Sequence, residues 1–267
     1  MFAAEAKNVV VEFPAKGSGL PLPWKKPAMT RVLKSVSIAI PHGKTLGLVG
    51  ESGSGKSTLA RAIMRLQKIA AGEIFYDGEN VSKFSARMPL RLRGKVQMIF
   101  QNPYASLDPR QTVFDILSEP LEIHFPEMTP LQRRERVAEL LEIVGLPSSH
   151  AQRFPHEFSG GQRQRIAISR ALATAAKLII CDEPVSALDV SVQAQILELL
   201  KKIQEKENLA LLFIGHDLAV VKSLADTVAV MMHGEIVERG SPREVFENPQ
   251  TEYTRALLAA IPRLPSA

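Results

Sequence analysis

The segment that most constrains this chain is Gly50-Glu51-Ser52-Gly53-Ser54-Gly55-Lys56-Ser57, followed by Thr58. An apolar run, Thr45–Val49, precedes it, and a helical stripe of Leu59, Ala62, Ile63 and Leu66 at i, i+3, i+4, i+7 follows. The segment matches G-x-x-x-x-G-K-[ST] in the strand-to-helix setting that gives the pattern its meaning. Glycines let backbone N–H groups close around phosphate oxygens, and the helix N-terminus adds its dipole. Lys56 is placed to reach β and γ phosphates, and Ser57 to ligate Mg²⁺. A glycine-rich turn that binds nothing is the plainer reading, and the flanking strand and helix set it aside.

From Thr45 onward, apolar strands alternate with helices at βα spacing, which implies a parallel sheet. Candidate strands are Thr45–Val49, Val96–Phe100, Leu178–Cys181 and Leu211–Ile214, each short and apolar, as expected when helices cover both faces. Two earlier apolar runs, Val9–Phe13 and Val32–Ile40, flank a Pro- and Gly-rich stretch, Ala15–Thr30, that reads as a loop. Between about residues 102 and 176 the pattern holds helices and no convincing strand, so the α/β alternation takes a helical insertion. The clearest of these helices starts at Thr129, with Pro130 at N1 and Gln132 at N3. Val137, Leu140, Leu141 and Val144 form its buried stripe, and Gly145 ends it.

Composition removes other classes. The chain has 267 residues, 45% of them hydrophobic and 23% charged, ample apolar content for a folded core. One cysteine, Cys181, excludes a disulfide framework and an all-cysteine metal site, and it fits a reducing cytosol. No apolar run of bilayer length occurs, and the first residues, MFAAEAKNVVVEF, lack the pattern of a secretory signal. The net charge of +5 is spread along the chain and reads as an ordinary basic balance.

Two further segments carry chemistry. Leu178-Ile179-Ile180-Cys181-Asp182-Glu183 ends a buried strand on two acids, the place where open α/β sheets bind ligands. Asp182 is expected to hold the Mg²⁺ water shell, and Glu183 to orient or deprotonate an attacking water. An exposed strand end is the default for such a pair, and the phosphate loop in the same chain overrides it. Ser159-Gly160-Gly161-Gln162 has capping-box spacing and opens an Arg-rich amphipathic helix read as Arg163–Ala176. Two consecutive glycines exceed what a cap needs, because each costs backbone entropy. Bare amides there make a second anion site. One ATP has one triphosphate, so a dimer in which this helix faces the partner's γ-phosphate resolves the surplus.

In order and spacing, Gly50–Ser57, Gln101, Ser159–Gln162, Asp182-Glu183, Ser186-Ala187-Leu188-Asp189 and His216 resemble the nucleotide-binding subunit of ABC transporters, over nearly the whole chain. The Ser-Gly-Gly-Gln signature is diagnostic of that superfamily among P-loop proteins. QNPYASLDPRQTV, FPHEFSGGQRQRIAISRAL and YTRALLAAIP resemble its oligopeptide/dipeptide/nickel importer subfamily, in which Phe158 is usual where most ABC proteins carry leucine. Gly215 before His216 and Thr251-Glu252 before Tyr253 depart from that subfamily's usual residues, and neither removes a phosphate-contacting group. The resemblance implies that Gln101 touches both Mg²⁺ and the water, that His216 bonds the γ-phosphate, and that Asp189 crosses the dimer interface. Asp189 alternatively caps a helix, Val190–Glu205. Phe13 is the candidate to stack on adenine. The alternatives are a core phenylalanine in an edge strand at that position, and Trp24 or Tyr76 as the stacking ring.

The fold expected is therefore α/β. A P-loop core with a mostly parallel sheet carries an N-terminal antiparallel β subdomain, a helical subdomain at about 102–176 and a tail from about 250, in one ABC-type domain over 1–267. The resemblance implies an ATPase that binds ATP and Mg²⁺ and pairs with a second ATPase subunit, identical or related. It drives import, most simply of peptides and alternatively of nickel or another solute, through separate transmembrane permease subunits. An extracytoplasmic solute-binding protein enters only indirectly, and the ATPase sits on the cytoplasmic face of the membrane. Pro103, Tyr104 and Ser106 are expected near the groove for a permease helix. A non-transport ABC ATPase acting on nucleic acid or the ribosome is the rival of another class. This chain shows one signature and no sustained heptads, so no nucleic acid is expected. A P-loop kinase or GTPase would leave Ser159–Gln162 without a role.

Overall fold

The structure is a computed structural model, and it describes residues 1–14, 28–84, 88–101 and 106–260. Trp24, Pro103 and Tyr104 lie outside the described residues. The chain divides into two compact units: Met1–Pro41 with Thr45–Ser85 and Ile214–Ala267, and His42–Lys44 with Ala86–Phe213.

In the first unit, β1 (Phe2–Pro14) pairs antiparallel with β2 (Met29–Pro41) and with β4 (Ala71–Tyr76), and β5 (Glu79–Asn80) closes the order β2-β1-β4-β5. β1 buries Ala4 and Ala6 and then Val9 and Val11, an even-to-odd switch that needs an extra residue. Asn8 supplies it: its φ is +51°, it sits at a register shift, and its Oδ1 accepts from the Ser37 hydroxyl at 3.2 Å. Met29 and Thr30 belong to β2 and not to the preceding loop, because they extend the ladder opposite Pro14 and Phe13.

β3 (Thr45–Val49) is buried at all five positions and lies parallel to β9 (Thr227–Met232). β10 (Glu235–Gly240) folds back on β9 through His233-Gly234, both with positive φ, the geometry of a tight hairpin. The helices of this unit are α1 (Lys56–Ile63), α7 (Leu218–Leu224), α8 (Pro242–Glu247) and α9 (Glu252–Ala259). The expected α1 stripe is one residue too long. The helix stops before Arg65, whose φ is +60°, and Leu66 is 63% exposed.

In the second unit, β6 (Val96–Ile99) and β7 (Leu178–Asp182) are parallel, with β8 (Ala210–Ile214) beside β7. Phe100 falls outside β6 and is exposed. The helices are α2 (Leu90–Arg93), α3 (Val113–His124), α4 (Pro130–Ile143), α5 (Gly160–Leu172) and α6 (Val190–Glu207), with short 3₁₀ turns at Ser148–Gln152 and Pro155–Glu157. No strand occurs among described residues 106–176. α4 carries the expected capping box of Thr129 and Gln132, its stripe of Val137, Leu140, Leu141 and Val144 is buried, and Gly145 follows with φ +71°. α5 starts three residues earlier than the apolar periodicity implied and ends at Leu172. It locks onto α4 where the buried Ser169 hydroxyl donates to the Leu140 carbonyl at 2.9 Å.

Together these elements make an α/β chain with antiparallel and mostly parallel strand pairing. Among the described residues no helix is long and apolar enough to cross a membrane.

Candidate nucleotide site

The phosphate loop leaves buried β3 and turns into α1 on a glycine N-cap: Gly55 has φ +111° and offers no side-chain cap. Gly50, at φ +148°, could not be replaced without collision, since a Cβ there would stand 2.1 Å from the Met231 carbonyl oxygen of β9. The hairpin turn braces the loop again, where Gly234 N–H donates to the Ser54 carbonyl at 2.9 Å. Lys56 is only 6% exposed. Its ammonium donates to the Gly50 and Glu51 carbonyls, both at 2.7 Å, and to the Ser54 hydroxyl at 3.4 Å. Glu51, Ser52 and Gly53 are exposed, and Ser57 and Thr58 half-buried. The loop thus presents its apex to solvent while its cation is held at the base.

His216 belongs to the same unit. Gly215 N–H reaches the Leu48 carbonyl of β3 at 3.4 Å, which brings the exposed His216 to the strand end that feeds the loop. Asp217 next to it caps α7, accepting from the Ala219 and Val220 amides. Phe13 is 37% exposed and pairs with Thr30 of β2, beyond Val10 where the pairing of β1 with β4 ends, so it is not a core residue. Tyr76 has no exposed surface, and its hydroxyl donates to the Ile63 carbonyl, which removes it as a ring for adenine.

In the second unit the strand register assembles the acids with Gln101. Residues of β6 pair with those of β7 as Val96↔Leu178 through Ile99↔Cys181. The same offset beyond the strand ends sets Gln101 opposite Glu183, and the Gln101 amide nitrogen donates to Glu183 Oε2 at 3.0 Å. Glu183 has φ +50°, a left-handed conformation that costs a non-glycine residue about 1–2 kcal/mol. Its carbonyl accepts from Ser186 N–H at 3.3 Å and from the Ser186 hydroxyl at 3.1 Å, which holds the bend. Asp182 ends β7 nearly buried. Burial pushes the Cys181 thiol up to about 12, and the Asp182 carboxylate adds to the shift, so this side chain is an apolar filler.

Helix α5 closes its own first turn. The Ser159 hydroxyl accepts from Gln162 N–H at 3.3 Å, and Gln162 Oε1 accepts from Ser159 N–H at 3.0 Å. Gly161 has a packing reason that the sequence did not disclose, since a Cβ there would lie 2.4 Å from Val192 Cγ1 of α6. Packing against Val192 is thus one reason for the second glycine beyond what the cap needs. Gly160 lies near Leu188. Asp189 takes up the alternative read for it: its carboxylate caps α6, accepting from Val192 N–H at 3.0 Å and the Ser191 hydroxyl at 2.7 Å. Those bonds, the Val192 amide foremost, hold its carboxyl below the usual range.

Among the described residues no group of three His, Cys, Asp or Glu side chains could form a metal cage. In the second unit Asp182 and Gln101 offer a carboxylate and an amide oxygen, and in the first unit Ser57 offers a hydroxyl. Such sparse hard donors suit Mg²⁺, which takes few protein ligands and fills its shell with phosphates and water. Since the Gln101 amide nitrogen serves Glu183, its oxygen is the end suited to a cation. Sequence reasoning left one residue out of the surroundings of the phosphate loop in the first unit. The Tyr253 hydroxyl accepts the Glu51 N–H at 3.0 Å, and the quoted tail segment YTRALLAAIP was the available signal.

A glycine loop between strand and helix, a polar acid pair at a parallel strand end and a self-capped signature helix define a P-loop ATPase. The family model "ABC transporter" matches residues 33–186, and the chain belongs to that family. It is 53% identical to the oligopeptide transport ATP-binding protein OppF of Bacillus subtilis (strain 168), over 87% of this chain and 76% of that protein. It is 51% identical to the glutathione import ATP-binding protein GsiA of Escherichia coli (strain K12), over 96% of this chain and 40% of that longer protein. A dimeric ATP-binding cassette solved in a post-hydrolysis state with ADP and Pi superposes with a TM-score of 0.77 at 28% identity, covering 90% of this chain and 99% of that one. CbiO1 of Clostridium perfringens gives 0.78 at 25% identity, covering 92% and 91%. The chain is an ATP-binding cassette whose reaction is ATP hydrolysis coupled to transport.

Proposed function

We propose that this chain is the ATPase subunit of a peptide importer, working as a dimer with an identical or related subunit on the cytoplasmic face of the membrane. Its permease subunits would be separate chains, and a solute-binding protein outside the membrane would deliver the cargo. The similarity to an oligopeptide transport ATP-binding protein over most of this chain supports peptides ahead of nickel or another solute. The similarity to a glutathione import protein points to the same chemical class of cargo. The boundaries of the single cassette, with a helical subdomain at about 102–176 and a tail from about 250, are proposed on the same footing.

The observation that carries the mechanism is the Gln101–Glu183 hydrogen bond. A carboxylate fixed by a neighbouring amide and by a strained backbone is pre-set to orient a water for attack on a phosphoryl group. Lys56 and the loop amides of Gly50–Thr58 would neutralise the phosphates, and His216 would bond the γ-phosphate and fix the water against Glu183. Mg²⁺ held by Ser57, Gln101 and Asp182 would supply charge neutralisation between phosphates. Ser159–Gln162 and Asp189 would serve the nucleotide of the partner subunit, and Phe13 would stack on adenine. Hydrolysis would remove the γ-phosphate contacts that bridge the two subunits, and their separation would drive the permease.

Glu183→Gln tests this reading. The variant should bind MgATP normally, form an ATP-stable dimer and turn over about 10³-fold more slowly. A monomer in ATP by size-exclusion chromatography, or near-normal phosphate release, refutes it.

A further inference from the structure

The C-terminal segment of the first unit meets the phosphate loop at two points. One is the β9–β10 hairpin, whose Gly234 N–H donates to the Ser54 carbonyl and whose Met231 carbonyl lies against Gly50. The other is α9, whose Tyr253 hydroxyl accepts the Glu51 N–H at 3.0 Å, across 202 residues of sequence. Glu51 is thereby gripped through both halves of its backbone, because its carbonyl accepts from the Lys56 ammonium at 2.7 Å.

The helix that presents Tyr253 is itself clipped down. Glu238 of β10 accepts from Gln250 N–H at 2.8 Å, Thr251 N–H at 3.1 Å and the Thr251 hydroxyl at 3.0 Å. Thr251 also N-caps α9, accepting from Thr254 N–H at 3.1 Å. Arg255 donates back to the Pro249 carbonyl at 2.9 Å. A helix this short gains little from its own turns, so the clip is what fixes the phenol's position. Thr251 is thereby the residue that joins Glu238 to the helix.

We propose that Tyr253 is a positioning residue of the nucleotide site. Through the Glu51 peptide it holds the exposed apex of the phosphate loop, and the carbonyl that parks Lys56, in the shape that receives the triphosphate. Glu238 and Thr251 form the strut that makes this possible. The inference rests on the nucleotide role proposed for Gly50–Ser57. An anchored loop loses less freedom on binding than an unanchored glycine loop, so the contribution falls on nucleotide affinity and not on the chemical step.

The test uses the full chain. Tyr253→Phe removes one hydroxyl and leaves the ring. It should raise the dissociation constant and KM for MgATP about three- to tenfold, the weight of one hydrogen bond, while kcat stays within about twofold and Tm is unchanged. Glu238→Gln should shift KM in the same direction by a smaller factor. The double variant should be no worse than Tyr253→Phe alone, since both act along one strut. Unchanged affinity in Tyr253→Phe, a fall in kcat at constant KM, or additive effects of the pair overturn the proposal. So does a drop in Tm large enough to account for the weaker binding. If wild-type protein binds no MgATP, the nucleotide role fails and takes this inference with it. If wild type binds and Tyr253→Phe matches it, only the positioning role fails.

Discussion

Helices α1 and α5 both start on glycine-rich turns, yet their first turns are completed by different chemistry. At α1 the cap is Gly55, left-handed and without a side chain, so the turn is shaped from outside: by Met231 and Gly234 of the hairpin and by Tyr253 of the tail. At α5 the cap is Ser159, which exchanges hydrogen bonds with Gln162 and needs no outside partner. An N-terminus left to backbone amides and a lysine is built to take a multiply charged anion, whereas a self-satisfied one can add only what its glycine amides offer. On the function proposed above, the two starts would contribute unequally to nucleotide binding: the first would hold the nucleotide within a subunit, and the second would meet it only when another subunit brings it near.

That inequality can be broken experimentally. Lys56→Ala should weaken MgATP binding by at least about 100-fold in calorimetry, because the loop has no second ammonium to replace it. Unchanged affinity would mean that the first helix start is not the phosphate site. Gly161→Ala comes next. Its methyl would meet Val192, so a loss of about 1–3 kcal/mol in denaturant unfolding is expected, relieved by adding Val192→Ala. No relief would show that Gly161 is kept for an anion and not for packing. The smallest effect belongs to Ser159→Ala, about 1 kcal/mol of stability from the lost cap, with MgATP affinity of the monomer unaltered. Weaker binding by the monomer would make the two helix starts equivalent after all.

How much of this was readable beforehand follows the same division. The phosphate loop, β3, β7 and the α4 box were legible because their signals are local: a strand, a cap and a periodicity within a few residues. The Gln101–Glu183 bond depends on the register of two parallel strands separated by the helical insertion, which no local pattern encodes. Gly161 looked superfluous because Val192 lies in another helix. The β9–β10 hairpin escaped notice because β10 is half-exposed, although the His233-Gly234 turn was its marker. α3 was not singled out, for a different reason. Its Thr112 and Asp115 box was in plain view, but Pro120 inside the helix argues against one. Leu66 shows the opposite error: periodicity continued past a residue whose backbone had already turned.

The lone cysteine of the sequence has a practical consequence. Cys181 sits with no exposed surface in the strand that delivers Asp182 and Glu183, and its thiol is held far from ionisation. A thiolate-seeking reagent can reach it only when that strand separates from its neighbours. The chain thus carries a built-in chemical clock on β7, with no competing thiol, whose labelling rate reports how often that strand comes apart from its neighbours.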